Sequence, residues 1–416
     1  SLGRYGGISI VGWLISAGGA SLMALVFARL SRMVRDAGGP YAFTRQGFGE
    51  FPGFLVAWGY WISIWTTNAA LAVAFVSYLT VVWPTLETNG LLAGGVAVAS
   101  IWLLTWLNAL GVRKAGMVQL VTTILKLIPL AAIATFGLLY VDIGNFVPFN
   151  ASEESSFSAV TATVTLTLWA FLGIESGTIP SDDVEDPRRT IPRATLLGTL
   201  CTSAVYILGT VAVMGVVPSS GLATSTAPFA DAAREMWGSW AGYAVGIGAA
   251  ISCFGALNGW LLLQGQIPLA AARDGLFPRS FGRLSKNNTP ALGLVMSSVL
   301  ATLLMAMNYT KSLVEQFTFI ILLATLNTLV PYVFSTMAEL MIFVRDRERF
   351  RDERLSRAVV VAVLAFLYSL WAIAGAGQEI VYWGFLLLLA GVPVYVWIKW
   401  HRSAGGSAGV IESAQR

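Results

Sequence analysis

The sequence predicts an all-α membrane protein that crosses the bilayer many times, and three observations support this fold class. The 416 residues are 56% hydrophobic and only 12% charged, with a mean hydropathy of +0.71. Apolar stretches of about 20 residues, the length that a helix needs to cross the hydrocarbon core, recur along the chain. Basic residues concentrate in the loops on one side of these stretches. Such a composition is not that of a soluble globular protein.

About eleven membrane spans are predicted when hydropathy is averaged over about 19 residues. The longest spans exceed the thickness of the bilayer, so we expect them to tilt or to extend beyond it. We treat them as one transmembrane domain over residues 1–402, followed by a disordered cytoplasmic tail over 403–416. The approximate limits of the spans are 8–30, 54–82, 91–111, 118–140, 158–179, 193–217, 240–271, 291–307, 313–344, 356–375 and 381–400.

The loop charges predict the orientation, because cytoplasmic loops retain Lys and Arg whereas translocated loops lose them. Basic residues follow the first, third, fifth, seventh and ninth spans, while the opposite loops contain little beyond Arg234 and Lys311. This alternation places the C-terminus in the cytoplasm and explains the net charge of +4 without a nucleic-acid partner. The basic residues on the inner side are Arg32, Arg35, Arg45, Arg113, Lys114, Arg188, Arg189, Arg193, Arg273, Arg279, Arg283, Lys286, Arg345, Arg347, Arg349, Arg351, Arg354 and Arg357.

The parity of the spans raises a question about the start of the chain. An odd number of spans with a cytoplasmic C-terminus places Ser1 on the far side, yet no signal-peptide pattern precedes the first span. The simplest hypothesis is a further span upstream, which would make this a twelve-span protein with a cytoplasmic N-terminus. The arginine-rich loop over 345–357 is expected to set the topology and to contact lipid headgroups.

Glu175 is the residue that most needs an explanation, because it lies inside the apolar stretch 158–179. A carboxylate is costly in hydrocarbon, so an intramembrane glutamate is expected to face a cavity or a partner and to have a function. Gly173, just before it, weakens the helix. Secondary transporters often contain a broken helix in each of two inverted repeats, and we predict that this span is one. The alternative is a shifted register that puts Glu175 at the membrane edge.

Lys126 is predicted to be the second intramembrane charge, in the span 118–140. It lies about 12 Å from the inner end of that helix, at a rise of about 1.5 Å per residue. This is far for a lysine to snorkel to the surface, although snorkelling is the alternative. A buried ammonium could couple proton movement to conformation, or act as a fixed positive charge in place of a bound cation. The sequence does not choose between these two roles.

Aromatic side chains within the spans suit a cationic or amphipathic ligand, although most membrane aromatics are interface or lipid-facing residues. Trp260 is the strongest candidate, since the small residues around it let a neighbouring backbone approach. Asn68 adds an amide at a similar depth, for a ligand or for helix pairing. No metal or cofactor site is predicted, because Cys201 and Cys253 form no close-spaced pair and His401 lies beyond the last span. The aromatic candidates are Tyr60, Trp61, Trp65, Trp169, Trp260 and Tyr332.

Five sequence motifs are spread along the chain. They are Gly38-Gly39-Pro40-Tyr41-Ala42-Phe43, the segment from Trp169 to Ser176, Asp186-Pro187-Arg188-Arg189-Thr190-Ile191-Pro192, Ala271-Ala272-Arg273-Asp274-Gly275-Leu276-Phe277-Pro278 and Leu329-Val330-Pro331-Tyr332. Together they resemble the amino acid–polyamine–organocation permeases, in particular the basic amino acid/polyamine antiporter branch. The resemblance extends over essentially the whole chain, although no motif would be specific alone.

The resemblance implies the leucine-transporter fold, in which two inverted five-helix repeats enclose a site between the broken first and sixth helices. The span with Glu175 would be the sixth helix, and the first helix would be absent. The first repeat would be incomplete over 8–140, the second would cover 158–344, and two extra helices would follow over 356–400. The implied function is secondary active transport by alternating access in a prokaryotic-type inner membrane. The sequence contains no ATP-binding P-loop motif and no nucleophile–base pair typical of an enzyme.

Carried over by position, the resemblance also implies a gate and a substrate site. Glu175 matches an inner, proton-responsive gating carboxylate, and Tyr60 and Tyr332 match gate tyrosines. Lys126 resembles a lysine that occupies the place of a sodium ion in related transporters. Trp169 matches an aromatic gate that closes over the substrate. The implied substrate-binding residues are Ser63, Ile64, Asn68, Trp169, Ala170, Leu172, Trp260 and Ala324.

The substrate itself is left open by the sequence. Ile64, Ala170 and Ala324 stand where an arginine antiporter of this branch has small or polar residues, which argues against a guanidinium group. The first hypothesis is exchange of an amino acid for an amine, and the second is proton-coupled symport of neutral or varied amino acids. A channel or a membrane-embedded enzyme is a remote third. The predicted partners are an amino acid or amine, protons and membrane lipid, and the resemblance also allows a homodimer.

Overall fold

The computed structural model describes residues 2–34, 38–111, 128–178, 184, 186–308, 310–346 and 355–401. Within these residues, eight helices are long and apolar enough to cross a membrane, and three shorter apolar helices lie between them. The predicted fold class and the approximate number of spans are therefore confirmed. The predicted span 118–140 is described only from Ile128 onward, and the tail 403–416 lies outside the described residues.

The helices used below are numbered in chain order. They are α1 (Ser9–Met33), α2 (Pro40–Phe48), α3 (Glu50–Leu79), α4 (Gly90–Ala109), α5 (Ile128–Tyr140), α6 (Ser156–Leu168), α7 (Pro187–Val216), α8 (Pro228–Trp237), α9 (Ser239–Arg273), α10 (Ala291–Met307), α11 (Leu313–Arg345), α12 (Leu355–Ala374) and α13 (Gln378–His401). Of these, α2 and α8 are short connecting helices, and the others correspond to the predicted spans.

Local sequence chemistry explains where several helices begin. The Asn89 side chain accepts a hydrogen bond from the Leu92 N–H (3.0 Å) and so caps α4. Helix α11 begins with a capping box, in which Ser312 and Glu315 each accept a hydrogen bond from the other's backbone N–H. Prolines stand in the first turn of α2, α7 and α8, where a missing N–H costs nothing. These signals fix the helix ends independently of the membrane.

Helix α3 is the central helix of the described structure. Of its most apolar stretch 78% is buried, the largest share among the candidate spans. It packs against α9 and α11. Two of its tryptophan N–H groups donate hydrogen bonds to other helices, from Trp61 to the Ser297 hydroxyl (2.7 Å) and from Trp58 to the Leu387 carbonyl (2.9 Å). Bonds of this kind hold membrane helices together, because apolar burial gives no net driving force in lipid.

Two of the motifs found in the sequence contact each other beside α3. The Tyr41 hydroxyl of α2 donates to Asp274, just after α9 (3.1 Å), and Arg45 forms an ion pair with the same carboxylate (3.1 Å). Gly38 has φ +123°, and a Cβ there would lie 2.3 Å from the Tyr41 ring. Only glycine fits that position. The contact places both motifs at the same end of the helical bundle.

Helix α1 approaches α6 closely at Gly12. A Cβ at this position would lie 2.4 Å from Thr163 Oγ1 and 3.1 Å from the carbonyl carbon of the same residue. Gly18, further along α1, has no neighbour within 4 Å of its Cβ position. Small residues at a crossing let two membrane helices come close together. Gly12 therefore sets the spacing between α1 and the helix that leads to Glu175.

Replacing Gly12 with alanine is expected to destabilise the protein, because the new methyl group overlaps Thr163 in α6. Overpacking of this kind costs about 1–3 kcal/mol, partly offset by the better helix propensity of alanine, about 1 kcal/mol. Gly18→Ala is the matched control on the same helix and should leave stability equal or slightly higher. Thermal unfolding midpoints of the two purified variants check this. A Gly12→Ala midpoint at or above that of Gly18→Ala contradicts the close approach.

Candidate functional site

The candidate site is built on a break in the apolar stretch that contains Glu175. Helix α6 ends at Leu168, and one 3₁₀ turn over Trp169–Phe171 follows it. The chain then becomes extended at Leu172, and Gly173 adopts φ +102°, a conformation that favours glycine. The predicted broken helix is confirmed, and the break is more complete than a weakened helix. Glu175 itself is fully buried within the protein.

Glu175 is held by three hydrogen-bond donors from three parts of the chain. The Tyr60 hydroxyl of α3 donates to Oε1 (2.6 Å), and the Tyr332 hydroxyl of α11 donates to Oε2. The Gly173 N–H donates to Oε2 as well (3.2 Å). Both tyrosines are buried. The Glu175 carboxylate thus connects the helix break to α3 and α11. Both of its oxygens accept hydrogen bonds, as buried polar atoms need to do once they have lost contact with water.

Two tryptophans pack around the break. Trp260 of α9 lies against Gly173, where a Cβ would be 3.2 Å from the Trp260 ring. Trp169 packs edge to face on Phe317 of α11, with ring centroids 5.3 Å apart. Trp260 and Trp169 therefore both pack beside the broken segment. The Phe27 ring of α1 packs edge to face on Tyr332, with ring centroids 5.2 Å apart.

The remaining predicted substrate residues fall into two groups. Ser63, Ile64, Asn68 and Ala324 are buried in α3 and α11. Ser63 donates to the Tyr60 carbonyl of its own helix (2.7 Å), and Asn68 Nδ2 donates to Gln264 Oε1 of α9 (2.7 Å).

Ala170 and Leu172 belong to the second group, which lines a cavity of about 370 Å³ between the break and α7. Three threonines of α7 line this cavity across from the broken segment. Its volume lies in the range of pockets that hold small molecules. Its other lining residues are Phe171, Gly173, Ile174, Ser176, Ala194, Thr195, Gly198, Thr199, Thr202 and Tyr206.

Lys126 lies outside the described residues, so its proposed role rests on the sequence alone. An ion pair that was not predicted joins Arg29 of α1 to Glu339 of α11. The Arg29 Nε atom lies 2.5 Å from Glu339 Oε1, and Glu339 is fully buried. Both residues fall within predicted spans, near the inner ends. A charged residue at the inner end of a span is normally explained by membrane topology. The pairing of Arg29 with Glu339 is therefore visible only in the structure.

Other contacts of the site were also missed. Gln264, the partner of Asn68, stands one helical turn after Trp260, and an uncharged amide in an apolar span gave a weak signal. Phe27 and Phe317 gave none, because phenylalanine is common in membrane helices. In the described part of the chain, no group of three or more His, Cys, Asp or Glu side chains is placed to hold a metal ion.

A family model described as amino acid permease matches residues 2–398 of the chain. The chain belongs to this family. It is therefore a transporter of the amino acid–polyamine–organocation superfamily and not an enzyme, as the motifs predicted.

Similar proteins place the permease more closely, in the basic amino acid/polyamine antiporter branch. The putrescine transporter PotE of Haemophilus influenzae is 31% identical over 405 residues, covering 96% of this chain and 91% of that protein. PotE of Escherichia coli (strain K12) is 30% identical over 400 residues, with coverage of 95% and 89%. The cadaverine/lysine antiporter of the same strain is 33% identical over 389 residues, with coverage of 91% and 85%.

A solved structure supports the predicted leucine-transporter fold. The crystal structure of MhsT in complex with L-phenylalanine matches 93% of this chain and 95% of its own chain, with a TM-score of 0.55. The sequences are only 15% identical, so the similarity concerns the fold. The family match, the antiporter relatives and the apolar helices together make the permease a multi-pass membrane protein and a secondary transporter.

Proposed function

We propose that this permease exchanges a basic amino acid for an amine across the inner membrane, by alternating access and with its C-terminus in the cytoplasm. The similarity to putrescine transporters and to a cadaverine/lysine antiporter supports this substrate class. The observation that carries the proposal is the buried carboxylate of Glu175 at the helix break, held by two tyrosine hydroxyls. A carboxylate among neutral groups in a low-dielectric site favours a cationic ligand.

The proposed substrate ends in an ammonium group rather than a guanidinium. Ile64 and Ala324 are fully buried and apolar, so they offer none of the hydrogen bonds that the five N–H donors of a guanidinium need. An ammonium is a more compact charge on an alkyl stem. The faces of Trp169 and Trp260 suit such a group through cation–π contact. Lysine or ornithine, exchanged for an aliphatic diamine, fits these features.

In the proposed mechanism, Glu175, Tyr60 and Tyr332 form the inner gate. Protonation of Glu175 weakens the bonds from both tyrosines, because a neutral carboxyl is a poorer acceptor than a carboxylate. The gate then opens and the substrate leaves, while Trp169 closes the outer path. Lys126 supplies a fixed positive charge or a proton-coupling group in this scheme. Membrane lipid, protons and a second copy of the chain are the proposed partners beside the substrate.

The proposed architecture keeps the division that the resemblance implies. One transmembrane domain over residues 1–402 contains a first repeat over 8–140, a second repeat over 158–344 and two extra helices over 356–400. The break at Gly173 belongs to the second repeat. The substrate would bind beside it, as in transporters whose broken helices meet near the membrane midplane.

Exchange is tested with proteoliposomes loaded with one unlabelled compound and presented with another in labelled form. The panel contains arginine, lysine, ornithine, putrescine, cadaverine and neutral amino acids. We expect labelled lysine or ornithine to enter only vesicles that contain an amine or the same amino acid, and arginine to exchange poorly. Uptake into empty vesicles driven by a pH gradient would instead establish proton symport and direct attention to Lys126.

A further inference from the structure

A chain of buried hydrogen bonds fixes the orientation of the Gln264 side chain. Its Nε2 atom donates to the Leu294 carbonyl (3.1 Å) and to the Ser298 hydroxyl (3.0 Å), both in α10. A backbone carbonyl can only accept a hydrogen bond, so the amide nitrogen of Gln264 must face α10. The amide oxygen therefore faces the opposite way, toward α3. There it accepts the hydrogen bond from Asn68 Nδ2 (2.7 Å).

The orientation of the Gln264 amide determines which side-chain atom of Asn68 is available for a further hydrogen bond. Because its Nδ2 is used by Gln264, its Oδ1 points elsewhere. Among the residues that the structure describes, Asn68 Oδ1 is buried and meets no hydrogen-bond donor. A buried acceptor without a donor is costly, since it has lost its water and gained nothing. Asn68 thus presents an unpaired oxygen that a donor from a ligand could satisfy.

The two helices that carry Asn68 and Gln264 also contact the break. Asn68 stands two turns after Tyr60 on α3, and Tyr60 bonds Glu175. Gln264 stands one turn after Trp260 on α9, and Trp260 lies against Gly173. Asn68 and Gln264 therefore lie on the two helices that contact the break, one to two helical turns along from the residues that make those contacts.

We infer that Gln264 is a positioning residue that turns the Asn68 oxygen toward the substrate, so that the permease selects an ammonium-ended side chain over a neutral one of equal size. The inference rests on the proposed function, since it names the property of the substrate that the same site reads. An ammonium can only donate hydrogen bonds, and it pairs well with an oxygen that can only accept. A methyl end leaves that oxygen unpaired, and a hydroxyl end gives a weaker, uncharged bond.

The test compares three amino acids that share the α-carboxylate and α-amine and differ only at the far end. They are lysine, 6-hydroxynorleucine and 2-aminoheptanoic acid, used as competitors of labelled lysine for binding to the purified protein. We expect the wild type to prefer lysine at least about tenfold over the neutral pair, as for a charge-assisted hydrogen bond. Equal binding of all three overturns the inference, even where exchange is observed. Preserved preference without exchange overturns only the proposed antiport.

Gln264→Leu is the variant that removes the positioning contact. Without Gln264, the Asn68 amide can turn its Nδ2 toward the ligand, where it meets a hydroxyl well and an ammonium badly. We expect the ratio of lysine to 6-hydroxynorleucine affinity to fall about tenfold, with KM for lysine rising and kcat retained. The matched control is Gln316→Leu, because Gln316 is also a buried glutamine, bonded to the Met305 carbonyl of α10 (3.2 Å). In Gln316→Leu, the ratio of lysine to 6-hydroxynorleucine affinity should stay at the wild-type value.

A rescue separates positioning from a general structural role. Asn68→Asp in the Gln264→Leu background restores an oxygen that can only accept, so lysine preference should return. An unchanged ratio in Gln264→Leu, or no recovery in the double variant, overturns the inference. If Gln264→Leu does not fold, Asn68→Leu with Gln264 intact gives the same decision. It should lose lysine preference and bind 2-aminoheptanoic acid at least as well as lysine, and retained lysine preference would overturn the inference.

Discussion

Replacing Glu175 with leucine is expected to lower exchange at least about a hundredfold. The substitution leaves the hydroxyls of Tyr60 and Tyr332 and the N–H of Gly173 without their acceptor. Each lost bond to a charged group is worth about 1.5–3 kcal/mol, so two of them exceed a hundredfold effect. Initial rates of labelled lysine exchange in proteoliposomes, normalised to the amount of reconstituted protein, measure the loss. Glu235→Leu is the control, since Glu235 is an exposed glutamate on α8.

Glu175→Gln tests the role of the charge itself. Glutamine keeps the size and one oxygen acceptor, but its amide nitrogen faces a tyrosine hydroxyl or the Gly173 N–H where an oxygen was. We expect slower exchange that no longer changes with pH in the range where the wild type responds. Exchange at the wild-type rate with the wild-type pH profile would show that Glu175 does not gate, and leucine at this position would then act only by disturbing the fold.

Breaking the ion pair between Arg29 and Glu339 is expected to have the largest effect on stability. The Arg29 Nε atom lies 2.5 Å from one oxygen of the fully buried Glu339 carboxylate, and the Arg29 Nη2 atom donates a hydrogen bond to the other oxygen (3.2 Å). Removing one partner leaves a buried charge uncompensated, which costs about 3–5 kcal/mol. Arg29→Met should therefore lower the free energy of unfolding by about that amount. Denaturant unfolding of the purified protein in detergent provides the measurement.

The double variant Arg29→Met/Glu339→Leu should recover most of the loss, because an apolar pair of similar volume leaves no charge unpaired. Arg45→Met is the control. Its ion pair with Asp274 is about one-third exposed, and such pairs are worth about 0–1 kcal/mol. If Arg29→Met is no more damaging than Arg45→Met, or if the double variant is worse than both single ones, the pair does not hold α1 to α11.

The sequence was a good guide wherever a feature depends on one segment alone. The spans follow from length and hydropathy, because any helix in lipid must satisfy its own backbone over about 20 residues. Glu175 stood out because a carboxylate in an apolar stretch is visible without knowing its neighbours. Gly173 beside it indicated the break, although the 3₁₀ turn and the extended residue after it came from the structure.

Contacts between segments that are far apart in the sequence could not be predicted from it. The family resemblance named Tyr60 and Tyr332 as gate residues, but the bonds that join them to the two oxygens of Glu175 span 115 and 157 positions. Gln264 was not singled out in the sequence, because the amide atom that it turns toward Asn68 depends on its bonds to α10. Arg29 and Glu339 are 310 positions apart, and each alone reads as a charge near a membrane surface.

The sequence by itself thus determined that this chain is a many-span helical transporter with a carboxylate at a broken helix. The length of an apolar stretch, the charge of a loop and an ionisable group within a span are local properties. Each has a direct energetic consequence in the bilayer, whatever the neighbouring helices are. Only the tertiary structure decided what the carboxylate holds, which charges pair and which amide atom of Asn68 is left without a partner. Those outcomes depend on the direction of single donors and acceptors across packed helices, and hydrogen bonds weaken steeply when that direction is wrong.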